Sequence, residues 1–164
     1  MEVKEKVKFP KYIWVLLTLI ILNIAFIWVH SMMPKADSLE ESNFFSELIR
    51  PIVEFLFGDD RSLVWITRKG GHFIEFFALG FLTSLFLILK ARFIKAAKFC
   101  AKDIWIYAAS SAVFGLVVGA IDEVIQIFSA RGPLVTDALI DFLAASIASL
   151  IISIVFLHFV QRNS

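Results

Sequence analysis

Between Lys11 and Lys35 the chain runs through 23 residues without one Asp, Glu, Lys or Arg, and this limits its folding more than any other feature. About 20 apolar residues in helix span a hydrocarbon core of roughly 30 Å, so positions 12–30 read as a transmembrane helix. Three more runs of the same character lie at about 71–89, 104–128 and 134–160. With 59% of 164 residues hydrophobic, a small soluble domain could not hide this much apolar surface. The fold expected is therefore all-α, a single domain over 1–164 forming an integral membrane bundle of four transmembrane helices. Trp28, Val29 and His30 lead into Met32, Met33 and Pro34 rather than into a small-x-small cleavage site, so the first run reads as an uncleaved anchor.

Sixteen Lys and Arg against fifteen Asp and Glu leave a net charge of +1, which gives nucleic acid no field to be held by. The single cysteine, Cys100, rules out an intrachain disulfide, a CxxC pair and a cysteine-rich metal cage. Orientation follows from the basic residues in the connections. Lys4, Lys6, Lys8, Lys11, Lys90, Arg92, Lys95, Lys98, Lys102 and Arg162 fall on one side, and Lys35, Arg50, Arg61, Arg68, Lys69 and Arg131 on the other. The richer side is read as cytoplasmic, which puts both termini in the cytoplasm of a bacterial-type membrane and Cys100 on the reducing side.

The stretch between spans one and two is too long for a structureless loop. Phe45, Leu48, Ile49, Ile52 and Leu56 recur at three- and four-residue spacing, with Glu47, Arg50 and Glu54 opposite, which predicts an interfacial amphipathic helix over about 43–57. Ser38 and Glu41 have the spacing of a capping box near its start, and Pro51 is expected to kink or split it. Such a helix either lids the bundle or shapes a lipid-facing entrance. Ser111, Gly115 and Gly119, four residues apart, form a smooth stripe on span three, and Ala144, Ala145, Ala148 and Ser149 a similar one on span four. These two stripes are read as packing surfaces.

The remaining ionisable residues concentrate at one depth. Lys69 enters span two, with His72 and Glu75 three residues apart on one face. Asp122, Glu123 and Gln126 lie toward the end of span three, Arg131 follows, and Asp137 and Asp141 open span four. Antiparallel neighbours bring all of these to the same membrane boundary. An acid at the centre of a span costs about 2.5–3.5 kcal/mol on insertion scales, and less near the interface. Five acids, Glu75, Asp122, Glu123, Asp137 and Asp141, face three bases, Arg68, Lys69 and Arg131, if His72 is neutral. Three resolutions exist: His72 is protonated, one acid keeps its proton, or a cation is bound. A purely structural reading pairs Lys69 and Arg131 with acids. HxxE on one helix enforces no recognised ligand geometry, so no metal is expected and no cofactor is specified. His30 and His158, at opposite boundaries, are read as interfacial side chains.

Lys69, His72 and Glu75 entering a span, then Asp122, Glu123 and Gln126, then Arg131, Asp137 and Asp141, resemble the pattern of the VanZ-like membrane proteins. The resemblance extends from the first span to the fourth and includes Ser31, Pro34, Ser38 and Ser42 after span one. The DExxQ element followed by Arg and Asp is its specific part. Phe76 stands where the pattern has an aromatic with a hydroxyl, and Ala144 where it has glycine. The family is named for a member associated with resistance to teicoplanin, a lipoglycopeptide, so the resemblance implies a role in cell-envelope antibiotic tolerance. The partners it implies are membrane lipids and a lipid-linked cell-wall intermediate or a lipoglycopeptide.

Two classes of function remain open. In the first, the protein acts at the outer membrane interface on a lipid-linked component. If it is an enzyme, a hydrolase or transferase, His72 is the general acid or base, Glu75 orients it, Asp122 or Glu123 is the second carboxylate, and Lys69, Gln126, Arg131, Asp137 and Asp141 bind substrate. With no GxSxG and no catalytic cysteine pair, covalent catalysis has no motif behind it. In the second, it is a small transporter or flippase subunit, for which four spans favour a homodimer. The middle and cytoplasmic halves of spans two, three and four contain almost no polar lining beyond Thr83, Ser84, Ser110, Ser111 and Ser153, which favours a one-sided site. The topology makes a direct prediction. With Cys100 replaced by Ala, Asp60→Cys and Gly132→Cys should each react with an impermeant thiol reagent applied from outside the cell. Labelling of either from the cytoplasm alone reverses the assignment.

Overall fold

The computed structural model describes residues 8–57, 63–95, 99–129 and 134–162. Among these, every regular element is an α-helix: α1 (Lys11–Met32), α2 (Lys35–Phe57), α3 (Leu63–Lys95), α4 (Ala101–Phe128) and α5 (Val135–Arg162). Helices α1, α3, α4 and α5 are long and apolar enough to cross a membrane, and α2 lies between the first two. The all-helical, four-span expectation is met. At 1.5 Å per residue, the 33 residues of α3 extend about 50 Å, well beyond the hydrocarbon. Span two was expected to begin near residue 71, but its helix starts at Leu63. Apolarity marks where lipid begins, whereas a helix continues past that point because each further turn satisfies its own backbone. Arg68 and Lys69 are therefore helical residues.

Helix α5 packs against both α3 and α4, and these are the most extensive contacts in the fold. Small side chains make this possible. Ala144, Ala145 and Ala148 are fully buried. A Cβ on Gly115 would come within 2.5 Å of the Ala145 Cβ, and one on Gly119 within 3.2 Å of Asp141. Gly80, on α3, is tighter still, since a Cβ there would sit 2.4 Å from the Ala145 carbonyl oxygen. Three helices thus meet around Ala145, and the stripes on spans three and four face each other as expected. Hydroxyls reinforce the junction: Ser111 Oγ donates to the Gly80 carbonyl oxygen (3.1 Å), and Thr83 and Ser149 lie 2.5 and 3.0 Å from Ser111 Oγ. At the opposite end of the bundle Ile88, Ile104 and Ile152 form a second buried cluster. There the exposed Cys100 begins α4, its backbone N–H donating to Asp103, which also pairs with Lys95.

Helix α2 departs from expectation at its start and at Pro51. It begins at Lys35 rather than near 43, because Pro34 supplies the first carbonyl, accepting from Ser38 N at 3.0 Å. Ser38 therefore lies inside the first turn and does not cap the helix. Pro51 lies within the helix without dividing it; its ring is exposed, and only one backbone donor is lost. The face turned toward the bundle carries mostly small polar side chains. Ser38, Ser42, Ser46 and Val53 turn inward, while Phe44, Leu48, Ile52 and Phe55 are exposed. In lipid this is the favourable arrangement, since large apolar groups lose nothing outside and small ones permit close approach. The serines are satisfied locally, Ser42 by the Ser38 carbonyl (2.7 Å) and Ser46 by the Ser42 carbonyl (2.6 Å), and Ser46 also meets Thr67 Oγ1 at 2.8 Å.

The glycines give opposite expectations for the same substitution. Gly80→Ala forces α3 from α5 and should lower stability in detergent by about 1–3 kcal/mol. Gly71→Ala, with nothing within 4 Å of the new Cβ, should raise it by up to about 1 kcal/mol. Thermal unfolding of the two purified variants beside wild type checks both.

Candidate functional site

Among the described residues α2 packs on α3 alone, while α1 packs on α3 and α4. With α1 and α2 leaning on α3 but not on each other, a cavity of about 470 Å³ opens between the three helices. Its walls are mainly apolar, with Phe26 from α1, Phe45 and Ile49 from α2, and Ile66 and Ile74 from α3. Gly70 and Gly71 keep the α3 wall low, and His30, His72 and Glu75 supply polar atoms. Two adjacent glycines in a helix interior cost about 2 kcal/mol relative to alanine, and here that cost maintains empty space.

The polar groups lie where α1 and α4 end and α3 and α5 begin. His72, Asp122 and Asp141, from α3, α4 and α5, are all buried, and one ligand atom from each lies within 4.8 Å of the others. His72 Nδ1 is 3.8 Å from Asp141 Oδ1. Gln126 Nε2 donates to Asp122 Oδ2 at 2.8 Å and reaches Glu123 Oε1 at 3.5 Å. Glu123 accepts the Leu134 backbone N–H at 2.7 Å, immediately before α5 begins, so its carboxylate meets the donor end of that helix. Lys69 forms a largely buried ion pair with Asp137 in the first turn of α5. Arg131 lies outside the described residues.

The structure brings together eight of the nine residues singled out in the sequence and pairs several of them with one another. Lys69 and Asp137, expected to bind substrate, are partners of each other. Glu123, expected to be a second catalytic carboxylate, holds the start of α5. Glu75 was expected to orient His72; instead its Oε1 lies 2.6 Å from His30 Nδ1. His30, which has no acidic neighbour along the chain, thus meets a carboxylate of the cluster across the fold. Its position in the last turn of α1, at the layer where span two begins, was the available signal. The reading of His30 as a mere interfacial side chain is corrected accordingly. Two imidazole–carboxylate couples result, His30 with Glu75 at the cavity and His72 with Asp141 behind its inner wall. Both suit proton transfer or the recognition of a polar head group beneath an apolar tail.

Four long apolar helices define a multi-pass membrane protein, with the His72, Asp122 and Asp141 cluster buried between three of them. The chain belongs to the VanZ/LLP1 family, whose family model matches residues 12–157. Neither a curated protein nor a solved structure matches it.

The His30–Glu75 contact can be measured directly. A double-mutant cycle of His30→Gln and Glu75→Gln, read as thermal stability in detergent, should give a coupling energy of about 0.6–1.7 kcal/mol, the range of interhelical hydrogen bonds in membranes. The same cycle between His158→Gln and Glu75→Gln should give none.

Proposed function

We propose that this protein acts at the outer membrane interface on a lipid-linked envelope component or a lipoglycopeptide, with both termini in the cytoplasm, and so contributes to antibiotic tolerance of a bacterial cell envelope. One observation carries the reading: an apolar cavity between three helices ends on His30, His72 and Glu75. An acyl or isoprenoid chain suits the apolar walls, and a polar head group suits the histidines and the carboxylate. Arg68, which also lines the cavity, adds a cation suited to phosphate. The family's association with a lipid-tailed antibiotic points to the same kind of molecule.

A hydrolase or transferase working by general acid–base catalysis is the more specific form of this proposal, because both imidazoles have a carboxylate at hand. Transport is less favoured. Thr83, Ser111 and Ser149, the hydroxyls that would line a path between α3, α4 and α5, are engaged with one another and with the Gly80 carbonyl.

The test is complementation of a deletion host, scored as lipoglycopeptide susceptibility with membrane level and melting recorded for each variant. Wild type should restore tolerance. His72→Gln and Glu75→Gln should insert normally and fail to restore it. Gly71→Leu, which fills the cavity without touching a polar group, should fail in the same way. Full complementation by all three means that the cluster only holds helices together. If a substrate is found, His72→Gln should abolish turnover while leaving binding within a few-fold for an enzyme, whereas a receptor shows no turnover in wild type.

A further inference from the structure

We propose that His72, Asp122 and Asp141 form a binding site for a single divalent transition-metal cation, of the class that accepts mixed imidazole and carboxylate ligands, such as zinc or manganese. The proposal concerns these three side chains alone and holds whatever occupies the cavity. Their donors come from three different helices, which is why HxxE spacing within one helix did not reveal them, and Glu75 is not among them. Asp141 supplies the independent observation. It is completely buried, and neither of its carboxylate oxygens accepts a hydrogen bond among the described residues. A buried carboxylate with both oxygens unserved is costly in an apolar bundle, and the other acids of the cluster have named partners: Glu75 with His30, Glu123 with Leu134 N, and Asp137 with Lys69.

Charge and geometry agree with a cation at this point. Two carboxylates with a neutral imidazole carry minus two, which one divalent ion cancels. Gln126 fixes the Asp122 carboxylate from behind through Oδ2, the kind of outer hydrogen bond that orients metal ligands. Gly119 leaves the space that the Asp141 carboxylate occupies, since a Cβ there would lie 3.2 Å from Oδ2. Ligand atoms held about 2.1 Å from a tetrahedral ion lie about 3.4 Å apart, so a set within 4.8 Å reaches that geometry by side-chain rotation and a small inward shift. Three protein ligands leave a coordination position for water or an anionic oxygen. The imidazole favours zinc or manganese over calcium and magnesium, which prefer all-oxygen sites.

The experiment uses the full chain purified in detergent with a histidine-free affinity tag, stripped with EDTA, then dialysed against zinc chloride or manganese chloride and analysed for metal by mass spectrometry. Wild type should bind one equivalent. At a hundredfold excess over the dissociation constant it should melt about 5–10 °C higher than the stripped protein. Asp141→Asn and His72→Gln should weaken binding about 100-fold and lose the metal-dependent shift, while His158→Gln, at the far end of α5, should keep both. Gly119→Ala retains all three ligands but crowds Asp141, and should weaken binding at least tenfold, which keeps the test valid if Asp141→Asn does not fold. The proposal is overturned if wild type takes up neither metal in stoichiometric amount, or if Asp141→Asn or Gly119→Ala binds as tightly as wild type. A stripped Asp141→Asn that melts above wild type, with no metal response in either, also overturns it and shows that Asp141 carries its own proton.

Discussion

The closeness of α5 to α3 and α4 is the constraint on which the polar end of this bundle depends. Ala144, Ala145 and Ala148 are sealed in the interior, and Gly80 and Gly115 bring their backbones against the Ala145 turn. In lipid there is no hydrophobic gain from bringing helices together, so the attraction must come from packing and hydrogen bonds. Small residues permit the first, and the Thr83–Ser111–Ser149 hydroxyls provide the second. One turn above Ala145, the same approach encloses Asp141 beside Gly119. A looser bundle would admit water to that carboxylate and make it an ordinary surface acid. Tight packing therefore creates the electrostatic problem that His72, Asp122 and Asp141 have to solve together.

The cavity has the opposite origin. Helix α2 places serines, not leucines, against α3, and Ser46 fixes it there through Thr67. Its large apolar residues face outward, where lipid solvates them as well as protein would. With α1 held by α3 and α4 but not by α2, space remains beside Gly70 and Gly71. The polar end of that space is formed by His30, His72 and Glu75.

The fold was legible because each span is marked by length and apolarity, and lipid imposes helix on any such run. The stripes containing Gly115, Gly119 and Ala145 were legible because four-residue spacing is a local property. Convergence of the acids at one end followed from counting residues along antiparallel helices. Partner choice was not legible. It depends on rotation of one helix about its axis relative to another, and only long-range packing sets that angle, so His30 rather than His72 meets Glu75. Which face of α2 turns inward was not legible either, because an amphipathic pattern fixes its core-facing side only in water, where apolar groups must be hidden. The apolar run from about residue 71 did not mark the start of α3, because hydropathy detects the solvent and not the hydrogen bonds that carry the helix back to Leu63.

His72 links the two halves of the site. It lines the cavity, and its Nδ1 lies 3.8 Å from the buried Asp141. A molecule that contacts the imidazole thus senses the charge state of Asp141 and Asp122 behind it, and a change in that charge alters what the imidazole offers the cavity, a donor or an acceptor. Helices α4 and α5 contribute acids without entering the cavity lining, while α1 and α2 contribute walls without entering the acid cluster. Only α3 belongs to both. A polar cluster serving merely to hold α4 and α5 together has no need of a histidine shared with an apolar cavity on the far side of α3, and that shared residue is the physical reason for proposing that the two act together.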